Sequence, residues 1–281
     1  MLGSSALSGW RDPLRRPVES IGLVVVIPVR NEELRLRRCL AALDRARRRV
    51  RSLPGAAGPV RVVLVLDRCT DRSAEIATTR DWVEVVVTDH GRVGAARAAG
   101  VSYALATSEH SVPSTWIACT DGDSAVPADW LQTHRSHAAS GADLLLGTVR
   151  PDPRELAPSA LRLWNAQHSL VDGHRHVFGA NLGINAEMYL RTGGFADVKA
   201  HEDHRLAQAV RQLHGRVVST SSSPVLTSGR LLGRTGAGFA EYLGAMGGPV
   251  RSVGADGLAD PVPVQPRRPA APATEMAGGR T

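Results

Sequence analysis

Gly22-Leu-Val-Val-Val-Ile-Pro-Val-Arg-Asn-Glu-Glu33 is the stretch on which the reading of the fold turns. From Gly22 to Val29 it is nearly all apolar and rich in Val. It is too short for a typical helix and lacks the polar alternation of a strand with one wet face. A strand buried on both faces of a parallel sheet has this pattern. Pro28 closes the run, and Arg30, Asn31, Glu32 and Glu33 follow at once. Outward from it, the pattern repeats. Residues 32–50 place Leu36, Leu40, Leu43 and Ala46 at helical spacing, and residues 60–67 form a second apolar run ending on Asp67. A helix is expected over 71–80, a strand over 83–88 and a small-residue helix over 92–106. A strand over 116–120 and a helix over 127–140, with Pro127 near its first turn, complete the series.

Such alternation predicts βαβ units and an α/β fold with a mostly parallel sheet flanked by helices. Ligands of these sheets sit outside the carboxyl ends of the strands. The chemically informative residues fall there: Arg30-Asn31-Glu32, Asp67, Asp89-His90-Gly91 and Asp121-Gly122-Asp123. One cleft is therefore expected. The second half is less regular. Strands are expected over 142–149 and around Val217, and helices over 157–171, 186–191, 201–214 and 236–246. Residues 1–20 read as an irregular segment. Residues 21–250 read as one domain, with a ligand-binding half to 125 and a second half from 126. Residues 251–281, rich in Pro, Ala and Gly, read as a disordered tail.

Composition removes several function classes. Of 281 residues, 43% are apolar, enough for one large α/β domain. The net charge of +7 is carried almost wholly by arginine, Lys199 being the one lysine. The basic run from Arg35 to Arg51 alternates with apolar residues at helix spacing and has no interleaved aromatics to stack bases, so a solvated helix face is expected rather than a nucleic-acid site. Cys39, Cys69 and Cys119 are far apart and have no zinc spacing, so they read as reduced, buried thiols. No run is long enough to span a bilayer, and residues 1–20 lack the apolar core of a signal peptide. A cytoplasmic location is expected, with peripheral membrane contact left open.

Asp121-Gly122-Asp123 is the sharpest local signal. Two carboxylates flanking a glycine at a strand end can hold Mg²⁺ or Mn²⁺ while substrate phosphates supply further oxygen ligands. The competing reading is a solvated Asp-Gly turn. Asp67 can accept from a nucleobase or ribose donor, with Asp71 assigned to capping the next helix. Gly91-Arg92-Val93-Gly94 stands at a helix start, where anions bind, but small residues there also serve close packing. His201-Glu202-Asp203-His204 offers a general base or, equally, a helix start with acids facing the dipole. Asp172, His174 and His176 read as a polar loop.

Taken together these segments resemble the family-2 glycosyltransferases of the GT-A fold, over about residues 24–218. Val25-Val-Ile-Pro-Val-Arg-Asn-Glu-Glu33 is similar to the family's first-strand signature, and the resemblance implies that Pro28, Arg30 and Glu32 line a nucleotide pocket. Val65-Leu-Asp-Arg-Cys-Thr-Asp71 resembles the Asp-Asp-Gly-Ser-Thr-Asp segment, with Leu66 in place of its first Asp and the base-binding Asp67 kept. Gly94 to Gly100 resembles a stretch that puts Arg97 near the donor, although Ala98 stands where Asn is frequent. Asp121 and Asp123 match the Asp-x-Asp metal motif, with Asp123 the direct ligand. Gly179-Ala-Asn181 and Thr192-Gly-Gly194-Phe195 match segments on the acceptor side, implicating Asn181 and Gly194. Glu202-Asp203 matches the acidic pair whose second member, Asp203, is implied as catalytic base.

The resemblance implies a nucleoside-diphosphate sugar (UDP- or GDP-linked) as donor, a hydroxyl acceptor, Mg²⁺ or Mn²⁺ as cofactor, and an inverted product. The Gln/Glu-x-x-Arg-Trp motif of processive synthases is missing, which implies single additions. A third metal ligand is unassigned, His214 or a histidine near Glu202 being candidates. The alternatives are a retaining transferase similar to glucosyl-phosphoglycerate synthases, a sugar nucleotidyltransferase, and a non-catalytic sugar-nucleotide binder.

Overall fold

The computed structural model describes residues 21–53, 60–168 and 170–230. The expectations for residues 1–20, 236–246 and 251–281 lie outside these. The elements run β1 (Gly22–Val29), α1 (Leu36–Arg51), β2 (Val60–Asp67), α2 (Ser73–Thr78), β3 (Glu84–Thr88), α3 (Val93–Ala106), β4 (Thr115–Cys119) and α4 (Trp130–Ala139). They continue with β5 (Leu144–Pro151), α5 (Pro158–Gln167), β6 (Leu182–Asn185), α6 (Ala186–Arg191), α7 (Glu202–Gln212) and β7 (Val217–Thr227).

The strands form one seven-stranded sheet in the order β3-β2-β1-β4-β6-β5-β7. β3, β2, β1 and β4 pair in parallel, β6 runs antiparallel to both β4 and β5, and β7 lies parallel to β5. All strands but β6 therefore share a direction, and the sheet is mostly parallel, as the βαβ pattern predicts. The sheet crosses both halves of the expected domain.

β1 explains why its sequence reads as a continuous apolar run. Leu23, Val25 and Ile27 belong to the core that includes α1, α2, α4 and α5 residues such as Leu40, Ile76, Trp130 and Trp164. Val24 and Val26 belong to the opposite core, with Ala96, Val101, Met188, Leu206 and Val210 of α3, α6 and α7. Each face of the strand buries side chains worth about 1.5–3 kcal/mol apiece. Gly100 of α3 lies directly over Val26 and Val65, where a Cβ would meet both at 2.7 Å. That close approach is why α3 is built from Ala and Gly.

The order places β4 and β2 on opposite sides of β1. This is the switch point of an open α/β sheet, and the crevice opens outside the carboxyl ends of β1 and β4. Two loops there contain left-handed residues, Asn31 (φ 55°) after β1 and Arg68 (φ 55°) after β2. The Asn31 side-chain oxygen accepts the N–H of Thr70 (2.7 Å) and of Asp71 (3.3 Å), tying the two loops together. The turn Asn31–Arg35 delays α1 to Leu36, although the periodicity begins at residue 32. Asp71 accepts the Ser73 N–H (3.0 Å) at the start of α2 and the Glu33 N–H (2.9 Å), so the assigned capping residue also fastens the neighbouring loop.

The cysteines are all unpaired, Cys39 and Cys119 buried and Cys69 half-buried. Burial pushes the Cys119 thiol up to about 12, so it stays protonated. Among the described residues, no helix is long and apolar enough to cross a membrane.

Candidate active site

A cleft of about 620 Å³ opens at the switch point. Pro28, Arg30, Glu32, Asp67, Arg97, Asp121 and Asp123 line it, together with Glu202 and Asp203. Of the residues singled out at the strand ends, these are brought together with Gly91 and Gly122, whereas Asn31, Asp89 and His90 do not line the cleft.

On the β1–β2 side, Asp67 is buried. Its Oδ1 accepts from the Thr88 hydroxyl (3.1 Å) and from the N–H groups of His90 (2.7 Å) and Gly91 (3.1 Å). The loop after β3 thereby aims the carboxylate, and no donor among the described residues reaches Oδ2. Arg30 donates to the Gly91 carbonyl at 3.4 Å. Arg92 is drawn away from the cleft by Asp197, at 2.6 Å, and Gly94 abuts the Ala196 carbonyl. The α3 start serves close packing more than ligand contact.

Arg97 is the electrostatic centre. It projects from α3 and is only 3% exposed. One Nη donates to Asp121 Oδ1 (2.6 Å) at the end of β4, and the other to Glu202 Oε1 at the start of α7. Burial works against its charge, but the carboxylates of Asp121 and Glu202 outweigh that and hold its pKa above the usual arginine value. Arg97 therefore ties three elements together, and Glu202 is spent on holding it. Gly179 makes this packing feasible, because a Cβ there would lie 2.6 Å from both Nη atoms. Gly179→Ala is expected to cost about 1–3 kcal/mol through overpacking, read as a lowered thermal midpoint.

Asp121 and Asp123 face the cleft on either side of Gly122, whose N–H donates to the Pro28 carbonyl (3.3 Å) and seats the turn against β1. Burial raises the Asp123 pKa, the Arg230 guanidinium offsets part of this, and the Asp121 charge adds to the rise. Arg230 lies just beyond β7. It bonds Asp123 Oδ2 at 2.7 Å and Glu32 Oε1 at 2.9 Å.

Asp203 differs from Glu202 in forming no ion pair among the described residues, although its charge acts on Arg97. Its Oδ2 accepts the Gly179 N–H (2.8 Å) and its Oδ1 the His204 N–H (2.7 Å). Two backbone donors fix the carboxylate and leave a second lone pair on each oxygen. His201, left-handed at φ 63°, starts the helix that presents it.

Two residues expected on the acceptor side turn away from the cleft, although Gly179 and Ala180 beside Asn181 line it. The Asn181 amide is buried and fully engaged. It donates to the Thr148 (2.8 Å) and Ser223 (3.0 Å) carbonyls and accepts from Trp130 Nε1 (2.8 Å). Gly194 is a left-handed turn residue (φ 75°) packed against the Tyr189 phenol. Both are scaffold and neither lines the cleft. His214 is exposed at the end of α7 and also absent from the cleft. No three His, Cys, Asp or Glu side chains among the described residues are grouped to hold a metal ion, so no third protein ligand is found.

The sequence reading missed two features. Arg230 is one, a single arginine in an arginine-rich chain. The other is the ring wall of Trp164, His168, His176 and Phe178. Trp164 stacks on His168 at 3.5 Å between centroids, and His176 stacks on Phe178 at 5.7 Å. Burial lowers the His168 and His176 pKa values, and the other histidines lower that of His176 further. Arg175, His176, Val177 and Phe178 thus line the cleft, where Asp172, His174 and His176 read as a polar loop. The one available signal was the alternation His174, His176, Phe178.

These features define an α/β fold whose acids surround one crevice. Residues 24–188, more than half of the chain, match the family Glycosyl transferase family 2. The chain belongs to that family and has the GT-A fold. No curated protein matches the sequence. Among solved structures, S. aureus TarS in complex with UDP-GlcNAc is 16% identical with a TM-score of 0.58, over 78% of this chain and 62% of that one. A mannosyltransferase from Pyrobaculum calidifontis in complex with GDP-Man and Mn²⁺ is 18% identical with a TM-score of 0.52, over 76% and 59%. Glucosyl-3-phosphoglycerate synthase from Mycobacterium tuberculosis is 15% identical with a TM-score of 0.50, over 84% and 82%. The chain spans about three-fifths of the length of the first two.

Proposed function

We propose that this glycosyltransferase uses a UDP- or GDP-linked sugar and a divalent cation, and transfers the sugar singly to an acceptor hydroxyl with inversion. One observation carries the reading: Asp121, Asp123 and Asp203 line the same crevice, and Arg97 links Asp121 to Glu202 beside Asp203. Asp67, aimed by the loop after β3, accepts from the base or ribose. Pro28 and Arg30 flank it. Hard oxygen donors suit Mg²⁺ or Mn²⁺, and the pair Asp123 and Asp121 would hold the ion, with diphosphate oxygens and water completing its shell. The raised Asp123 pKa and the neighbouring Asp121 charge fit a pair that gains from a cation between them. When bound, the ion neutralises the departing diphosphate. Asp203 takes the acceptor proton, and the ring wall of His168, His176 and Phe178 orients the acceptor.

Structures related to the proposed chemistry hold UDP-GlcNAc, GDP-Man with Mn²⁺, and UDP-glucose with Mn²⁺ and phosphoglyceric acid. A retaining transfer to a small acid is a second reading, favoured by the exposed Arg175 at the acceptor end of the cleft. The product configuration, read by NMR, decides between them.

The test is release of nucleoside diphosphate from a panel of UDP- and GDP-sugars. Release from one donor in Mn²⁺ or Mg²⁺ and its loss in EDTA are expected. Asp123→Ala is expected to lower the rate by about 10²–10³-fold or more. Release that persists in EDTA at the full rate overturns metal dependence.

A further inference from the structure

Arg230 is built into the crevice by several independent contacts. The residues after β4 and near the end of β7 exchange backbone hydrogen bonds, Ala125 N–H to the Leu226 carbonyl (2.7 Å) and the reverse (3.1 Å). Ser124 donates to Thr227 at 2.9 Å. Glu155, paired with Arg35, accepts the Ser228 hydroxyl (2.7 Å) and the Gly229 N–H (3.2 Å). From this anchored segment the guanidinium reaches Glu32 through Nη1 (2.9 and 3.2 Å) and Asp123 through Nη2 (2.7 Å). Ser124 Oγ, whose proton the shorter contact gives to Thr227, lies 3.2 Å from the remaining Asp123 oxygen. One oxygen of the expected metal-binding carboxylate therefore already has a protein cation.

Building on the metal-dependent reading above, we infer that Arg230 is a tethered cation that competes with the divalent ion for Asp123 and passes to the donor diphosphate. Oδ2 cannot be shared without weakening the guanidinium pair, so ion binding displaces Arg230 from it. The displaced charge then stands beside Asp123 with one new anion within the reaction to pair with, the diphosphate. Ion and nucleotide thereby bind better together than either does alone, and Arg230 acts as a positioning residue for the leaving group.

The experiment titrates the full chain with Mn²⁺ alone, followed by electron paramagnetic resonance of the free ion, and then with UDP and with GDP in saturating Mn²⁺. Arg230→Ala is expected to tighten Mn²⁺ alone by about tenfold and to weaken the nucleotide by about tenfold, the size of an ordinary coupling between sites. Arg230→Lys, which keeps the charge, is expected to lie nearer the wild type in both. A loss of structure would weaken both ligands together, so the opposed signs are diagnostic. Unchanged or weakened Mn²⁺ binding in Arg230→Ala overturns the inference and leaves metal dependence standing. Absence of Mn²⁺ binding in every form, with turnover that survives EDTA, overturns both.

Discussion

Asp203→Asn lowers sugar transfer by about 10²–10⁴-fold, the usual contribution of a positioned general base, and leaves donor binding near wild type. The amide is isosteric but keeps only one of the two backbone hydrogen bonds, its NH2 facing the other N–H, so circular dichroism is used to check that α7 keeps its first turn. What disappears is the lone pair that takes the acceptor proton. Glu202 cannot substitute, because its carboxylate is held by Arg97. Steady-state kinetics with saturating donor, together with nucleotide binding by calorimetry, separates the two effects. A variant with the wild-type rate would remove Asp203 from the chemistry and favour the retaining reading, in which the acceptor is not deprotonated from this wall.

Arg97→Met is expected to give the largest loss of stability. The guanidinium is the shared partner of Asp121 and Glu202, and its removal leaves the buried Glu202 carboxylate without its cation. Breaking a buried pair in this way costs about 3–5 kcal/mol. For a domain of this size that lowers the thermal midpoint by roughly 10 °C. Adding Glu202→Gln to Arg97→Met recovers part of the loss, since the orphaned charge is gone, whereas two independent sites would simply add. Differential scanning calorimetry of the two single variants and the double variant provides the check.

The first half of the fold was legible because its strands are buried on both faces. β1 and β2 were bounded correctly by composition alone, and the carboxylates after β2 and β4 fell where a switch point puts ligands. The second half was less so. β6 is four residues, Leu182-Gly-Ile-Asn185, and carries no mark of its reversed direction. β7 is long but rich in Ser and Thr, and shows as a strand only near Val217. The place of Asn181 was not legible because a Gly-x-Asn segment does not reveal which way the amide turns. Here it turns inward, to the Thr148 and Ser223 carbonyls. Arg230 was invisible because its meaning depends on the bridge between Ala125 and Leu226, a contact that joins distant parts of the chain.

The span between Arg97 and Glu202 also bears on biosynthesis. They are 105 residues apart. At about 5–20 residues per second, a ribosome needs roughly 5–20 s to add that interval. Throughout that time the nascent polypeptide carries an arginine destined for burial without its second counter-ion. Until α7 has left the exit tunnel, α3 can rest on the emerging strands with Asp121 alone against its arginine.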